Sequence, residues 1–291
     1  MDNVKRKRRK KLRLNRSAGG NAAINVMLCL MGTFMILPMV YAVSNSIKPL
    51  SELWIYPPRF FAENPTLINF KNLFNMMNDS WVPFSRYLAN TLFISIVGTV
   101  GHVFLSSLCA FALAKHDFPG RQFLFRMVVF SLMFSAVVTG VPNYLIMAKL
   151  HLIDTHWSII LPAFSSSLGL YLMKQFMEAN IPDTLIEAAH IDGAKEGTVF
   201  FRVVMPLVKP AWLTLMIFSF QSLWGVQSTS TIRSEELKTL SYALSQVVAG
   251  GIARQGASAA ASVIMMIVPI LVFVVTQSNI VETVATSGMK D

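Results

Sequence analysis

"EAAHIDGAKEG", residues 187–197, interrupts an otherwise apolar chain. It lies within "EANIPDTLIEAAHIDGAKEGTVFFRVVMPLVKP" (178–210), where charge, Gly and Pro replace the oily rhythm on either side. Pro182 suits a first helical turn, Asp183 favours a helix N-terminus and Gly193 suits a C-terminal stop, so a short helix is expected over about 182–192. Leu185, Ala188, Ala189 and Asp192 recur at i, i+3, i+4 and i+7 and share one face. The paired alanines make that face narrow, as entry into a groove requires. A second amphipathic piece carries Phe200, Phe201 and Val204 on one side, before Pro206 and Pro210 redirect the chain. Length and charge alone fit a solvated turn as well as a docking element.

Outward from this segment the chain is built for lipid. Of 291 residues, 54% are hydrophobic and 14% charged, and the mean hydropathy is +0.53. A soluble domain of this length needs more polar surface. The bilayer core takes roughly 20 mostly apolar residues per helix. Stretches at about 22–43, 88–114, 124–148, 157–177, 210–227 and 257–277 approach or exceed that, which predicts an all-α membrane protein of about six transmembrane helices. Pro38, Pro142, Pro162 and Pro269 fall inside them, and such breaks are tolerated where neighbours satisfy the freed backbone groups.

Nine Lys or Arg and one Asp in residues 1–16 supply +8 of the net +10. A basic tail before an apolar run reads as a cytoplasmic anchor with affinity for anionic lipid, not as a nucleic-acid site, because no aromatic residues are interleaved. The first apolar run is too long for a signal-peptide h-region and is expected to be retained. The expected organisation is a basic cytoplasmic tail at 1–21, a transmembrane domain at 22–279 and a cytoplasmic tail at 280–291. An outer connection at about 44–87 and the inner segment 178–210 interrupt the transmembrane part. The inner connections hold Lys115, Arg121, Arg126, Lys174, Lys195, Arg202 and Lys209, whereas the outer one is nearly neutral. "YPPRFFAENPTLINFKNLF" (56–74) reads as an outer cap or interfacial segment.

Chemistry-bearing motifs are absent. There is no G-x-x-x-x-G-K-[ST] phosphate loop, no H-E-x-x-H and no G-x-S-x-G. No catalytic residue and no metal ligand is assigned. His151 and His156 have poor metal spacing. Cys29 and Cys109 fall in predicted spans as packing residues. A secondary transporter or channel is the rival class, but it would need intramembrane ionisable groups and inverted repeats. Asn143 with Tyr144, and Gln221 with Trp224, pair hydrogen-bonding and aromatic side chains inside predicted spans, as a pathway for a polar solute would. Helix–helix hydrogen bonding fits the same residues.

The 187–206 segment closely resembles the EAA loop of ABC importer permeases. The matching positions are Glu187, Ala188, Ala189, Gly193 and Met205-Pro206. The fuller stretch looks like the carbohydrate, maltose-type branch, and "RYLANTLFIS", "HLIDTHWSIILP" and "QSNIVETVATSGMKD" extend the resemblance over most of the chain. One departure is Trp224-Gly225, where the family usually has Trp-Asn. The resemblance implies a type I importer permease fold with a cytoplasmic coupling helix. It implies a second homologous permease, two ATPase subunits and an extracytoplasmic solute-binding protein as partners. ATP and Mg would sit on the ATPase and none on this chain. The docking residues would be Glu187, Ala188, Ala189, Asp192 and Gly193. The cargo would be an oligosaccharide or polysaccharide fragment, and the outer charge is too balanced to say whether it is neutral or acidic, such as alginate. The implied location is a bacterial inner membrane with both termini cytoplasmic.

Overall fold

The computed structural model describes residues 18–287, so of the expected tails at 1–21 and 280–291 the parts 1–17 and 288–291 lie outside the described residues. Helices dominate, and no strand occurs among the described residues. The principal helices are α1 (Ala18–Ser46), α2 (Ile68–Asn78), α3 (Phe84–Lys115), α4 (Arg121–Ser131), α5 (Ala136–Lys149), α6 (Trp157–Phe164), α7 (Ser167–Asn180) and α8 (Asp183–Ile191). A π-helical turn at Val199–Val204 follows, then α9 (Lys209–Trp224), α10 (Leu240–Ala249) and α11 (Gln255–Ser287).

Three continuous helices are long and apolar enough to cross a membrane: 19–46, 84–115 and 255–277. Two of the other three expected spans are interrupted, and the third, 210–227, is the single 16-residue helix α9. The 124–148 stretch divides into α4 and α5, and 157–177 into α6 and α7. The two breaks face each other, because the Ser131 hydroxyl reaches the Ser167 hydroxyl at 2.6 Å. Neither break falls on a proline: Pro142 and Pro162 lie within α5 and α6. The chain from 196 to 207 bends by 80° into α9, where Pro210 occupies the first turn.

The helix α3 is the axis of the molecule. It packs against α6, α7, α9 and α10. At about 1.5 Å per residue its 32 residues span about 48 Å. Close approach depends on Gly101, where a Cβ would fall 2.2 Å from the Phe164 ring. Around one end of α3 a core gathers Leu73, Tyr87, Trp224, Leu240 and Ala260. Around the other end it gathers Phe111, Met173, Met177, Phe200 and Val204. Between them His102 reaches the Ser219 hydroxyl at 3.1 Å. By contrast α1 and α5 leave large apolar side chains open, Phe34 at 75% and Val137 at 87% exposure, the surface chemistry of lipid or partner contact.

The 47–83 connection folds tightly on itself. Lys48 is buried and donates to Asn45 Oδ1 at 2.8 Å and to the Arg59 carbonyl at 2.5 Å. The Glu52 carboxylate accepts from the amides of Glu63 and Asn64. From α2, the buried Asn69 donates to the carbonyls of Ser46 and Lys48. The segment rests on α11 as a packed cap.

Candidate functional site

Local chemistry builds α8 as the sequence predicts. Pro182 is its N-cap residue and Asp183 lies in its first turn. At the other end Gly193 adopts φ +79°, a left-handed conformation that glycine takes without steric cost. Its amide bonds the His190 carbonyl at 2.9 Å, and the Ala194 amide bonds the Ala189 carbonyl at 3.0 Å. That pair of bonds is the Schellman closure of a helix C-terminus.

One side of α8 is fixed to the core by Ile186, only 9% exposed, with Ala189 packed against the same cluster. Sequence periodicity places Ala189 on the presented face beside Ala188, whereas in the structure it is half-buried against that cluster. Glu187, Ala188, Asp192 and Gly193 are exposed. So are Leu185 at 39% and Ile191 at 86%. The result is a ledge with two carboxylates, two small residues and two aliphatic side chains open to a partner. Phe201 is another correction. It is 58% exposed while Val199, Phe200 and Val204 are buried, because the π turn shifts the side-chain phase away from the 3.6-residue period.

The tethers of α8 to α3 were not recognised from the sequence as a set. Lys115, the last residue of α3, donates to the Ile181 carbonyl at 2.5 Å and to Asp183 at 2.7 Å. The bond from Lys115, and then its charge, hold the Asp183 carboxyl below the usual carboxylate range. At the other end of α8, Glu196 lies between two imidazoles, 3.2 Å from His116 and 3.4 Å from His190. A lysine ending a long apolar helix beside a His-Asp pair was the available signal, but its partner lies 68 residues away.

At the far end of α3 a second set of bonds grips the 231–240 segment. The Tyr87 hydroxyl bonds Glu235 at 2.8 Å, and Asn90 donates to the carbonyls of Glu236 and Lys238 at 2.7 and 3.0 Å. The Leu240 amide donates to Thr91 at 2.7 Å. From the α5–α6 connection Asp154 accepts from the amides of Arg233 and Ser234, both at 2.8 Å, and from the Ser234 hydroxyl. The Ser234 bonds hold the Asp154 carboxyl below the usual range. His156 contacts the Leu237 carbonyl at 3.2 Å.

The four residues expected in a substrate pathway separate. Asn143 and Tyr144 lie together on a groove of about 430 Å³. Gln221 is exposed on α9 and does not line that groove. Trp224 is a correction: it is 1% exposed, stacked on Phe220 at 5.8 Å and bonded through its indole N–H to the Met265 carbonyl. Both its faces and its polar atom are taken by the protein, so it offers nothing to a solute.

A family model described as binding-protein-dependent transport system inner membrane component matches residues 102–285. Protein LplC of Bacillus subtilis (strain 168) is 34% identical over 67% of this chain and 63% of its own length. The polygalacturonan/rhamnogalacturonan transport system permease protein YtcP of the same organism is 30% identical over 70% of this chain and 69% of its own length. A solved structure, a bacterial ABC transporter involved in the import of the acidic polysaccharide alginate, superposes with a TM-score of 0.75 at 24% identity. It covers 90% of this chain and 98% of its own. The fold is that of a multi-pass transport permease. The chain belongs to the binding-protein-dependent transport system inner membrane component family.

Proposed function

We propose that this chain is one of two permease subunits of an ATP-driven importer for carbohydrates delivered by a solute-binding protein. The observation that carries it is α8: a capped helix tied to the end of a membrane-spanning rod, with Glu187, Ala188, Leu185 and Ile191 open to a partner. The similarity to a polygalacturonan/rhamnogalacturonan transport system permease and to a transporter involved in alginate import supports the cargo class. The α8 end faces the cytoplasm of a bacterial inner membrane, as do both termini, and ATP with Mg binds on the partner ATPase.

The geometry suggests how hydrolysis reaches the solute. Closure of the ATPase pair displaces α8. Lys115 and the Glu196 cluster pass that displacement to α3, whose rod carries it to the grip on 231–240. The outer surface then changes with the inner one. ATP drives this only through contacts that differ between the two states, since equal affinity for both shifts nothing.

The test is ATPase activity of the reconstituted complex with its binding protein and a panel of glycans, wild type against Glu187→Lys. A glycan that stimulates the wild type, and loss of stimulation or assembly on charge reversal, is the expected result. Normal coupling in the variant would reduce α8 to a solvated turn.

A further inference from the structure

Two different faces of α5 are turned outward. Val137, Val138, Val141, Leu145 and Ile146 are half or more exposed and apolar. Gly140, Asn143, Tyr144 and Met147, at i, i+3, i+4 and i+7, line the groove with Val141 beside them, and Ser158, Ser230 and Thr231 help to close it. Its polar lining is an amide, a phenol and three hydroxyls.

At the rim of the groove the guanidinium of Arg233 donates to the Tyr144 hydroxyl at 3.4 Å. Its backbone is fixed from the other side by Asp154. Arg233 lies close enough to help hold the Asp154 carboxyl low, yet Asp154 spends its oxygens on two amides and a hydroxyl. Glu235 is engaged by Tyr87 and Lys238. Among the described residues, no carboxylate lies within 4.0 Å of the Arg233 guanidinium nitrogens. A planar cation therefore stands anchored through its backbone and uncommitted through most of its donors.

We propose that this groove is a subsite for an acidic sugar, with Arg233 as the residue that recognises the carboxylate. The fork of a guanidinium matches a carboxylate with two parallel bonds. Tyr144 offers a ring face to the pyranose, and Asn143, Ser230 and Thr231 suit its hydroxyls. The inference rests on the importer reading above and narrows its cargo to glycans bearing uronate groups.

The experiment uses the whole importer in proteoliposomes, with one binding protein throughout. Uptake of trigalacturonate is compared with that of its fully methyl-esterified form, which is neutral and nearly the same shape. The wild type is expected to favour the acid by about tenfold or more, the scale of a lost charged hydrogen bond. Arg233→Gln should erase that preference, bringing uptake of the acid down to that of the ester, and Arg233→Lys should restore part of it. A Gln variant that keeps the preference overturns the proposal. So does a wild type that takes the ester equally well, or that carries only neutral glycans. If no glycan of any kind enters through the wild type, the importer reading itself fails.

Discussion

The indole N–H of Trp224 donates to the carbonyl of Met265 at 3.1 Å. Met265 stands four residues before Pro269 within α11. In an unbroken helix its carbonyl would accept from the amide of residue 269, which proline lacks. A side chain from α9 thus supplies the donor that α11 cannot. Trp224→Phe keeps most of the packing but leaves a buried carbonyl unpaired, at a cost of about 1–3 kcal/mol. Trp224→Ala adds a cavity and should cost about 3–5 kcal/mol. Thermal unfolding of the purified complex should follow that order, with the glycan profile unchanged. A changed profile would put Trp224 back in the pathway.

Removal of Lys115 should uncouple without dismantling. Its side chain is 5% exposed while Asp183 is 78% exposed, so the bond to the Ile181 carbonyl matters more than the ion pair. A charged donor to a buried carbonyl is worth about 1.5–3 kcal/mol. Lys115→Met is expected to assemble with the ATPase yet lose most glycan-stimulated hydrolysis, and Lys115→Arg to recover part of it. Full stimulation in the Met variant would show that α8 drives the rod by another route.

Gly193→Ala isolates a backbone effect, because a Cβ there meets nothing within 4 Å. The left-handed conformation alone costs about 1–2 kcal/mol for an L-residue. Frayed closure of α8 should weaken ATPase docking by about five- to thirtyfold, read by co-purification across ATPase concentrations. Unchanged docking would mean that α8 re-forms its end without the left-handed residue.

The outer grip should loosen in acid through His156. Burial is the main cause holding its pKa below the ordinary 6.5, with the Leu237 carbonyl opposing and Arg86 assisting. The opened segment then binds the proton more readily than the closed one. Stability of the grip is full above about pH 6.5 and falls as pH drops toward the lowered value. Hydrogen exchange of the 231–240 amides, corrected for intrinsic rate, should report more opening near about pH 5.5 than about pH 7.5. His156→Gln should flatten the difference, and an equal response in that variant would assign the effect elsewhere.

Much of this was legible because it is local. Pro182, Asp183 and Gly193 dictate the ends of α8 through capping and a left-handed residue, whatever surrounds them. The apolar runs locate the membrane segments because lipid thickness is a fixed length. The breaks at 132–135 and 165–166 were not legible. No Pro or Gly occupies either, and they form where two segments meet through Ser131 and Ser167.

Composition and local chemistry by themselves determined a multi-span membrane chain with a capped charged helix. Tertiary structure alone decided which members of each pattern are available. Trp224 and Tyr144 are both aromatic residues beside polar neighbours, and sequence gives each the same promise. One is sealed in the core because Pro269 frees a carbonyl in a neighbouring helix; the other stays on a groove beside Arg233 because the 231–240 segment is clamped there. Burial and pairing depend on residues distant in the chain, and no periodicity along one segment encodes them.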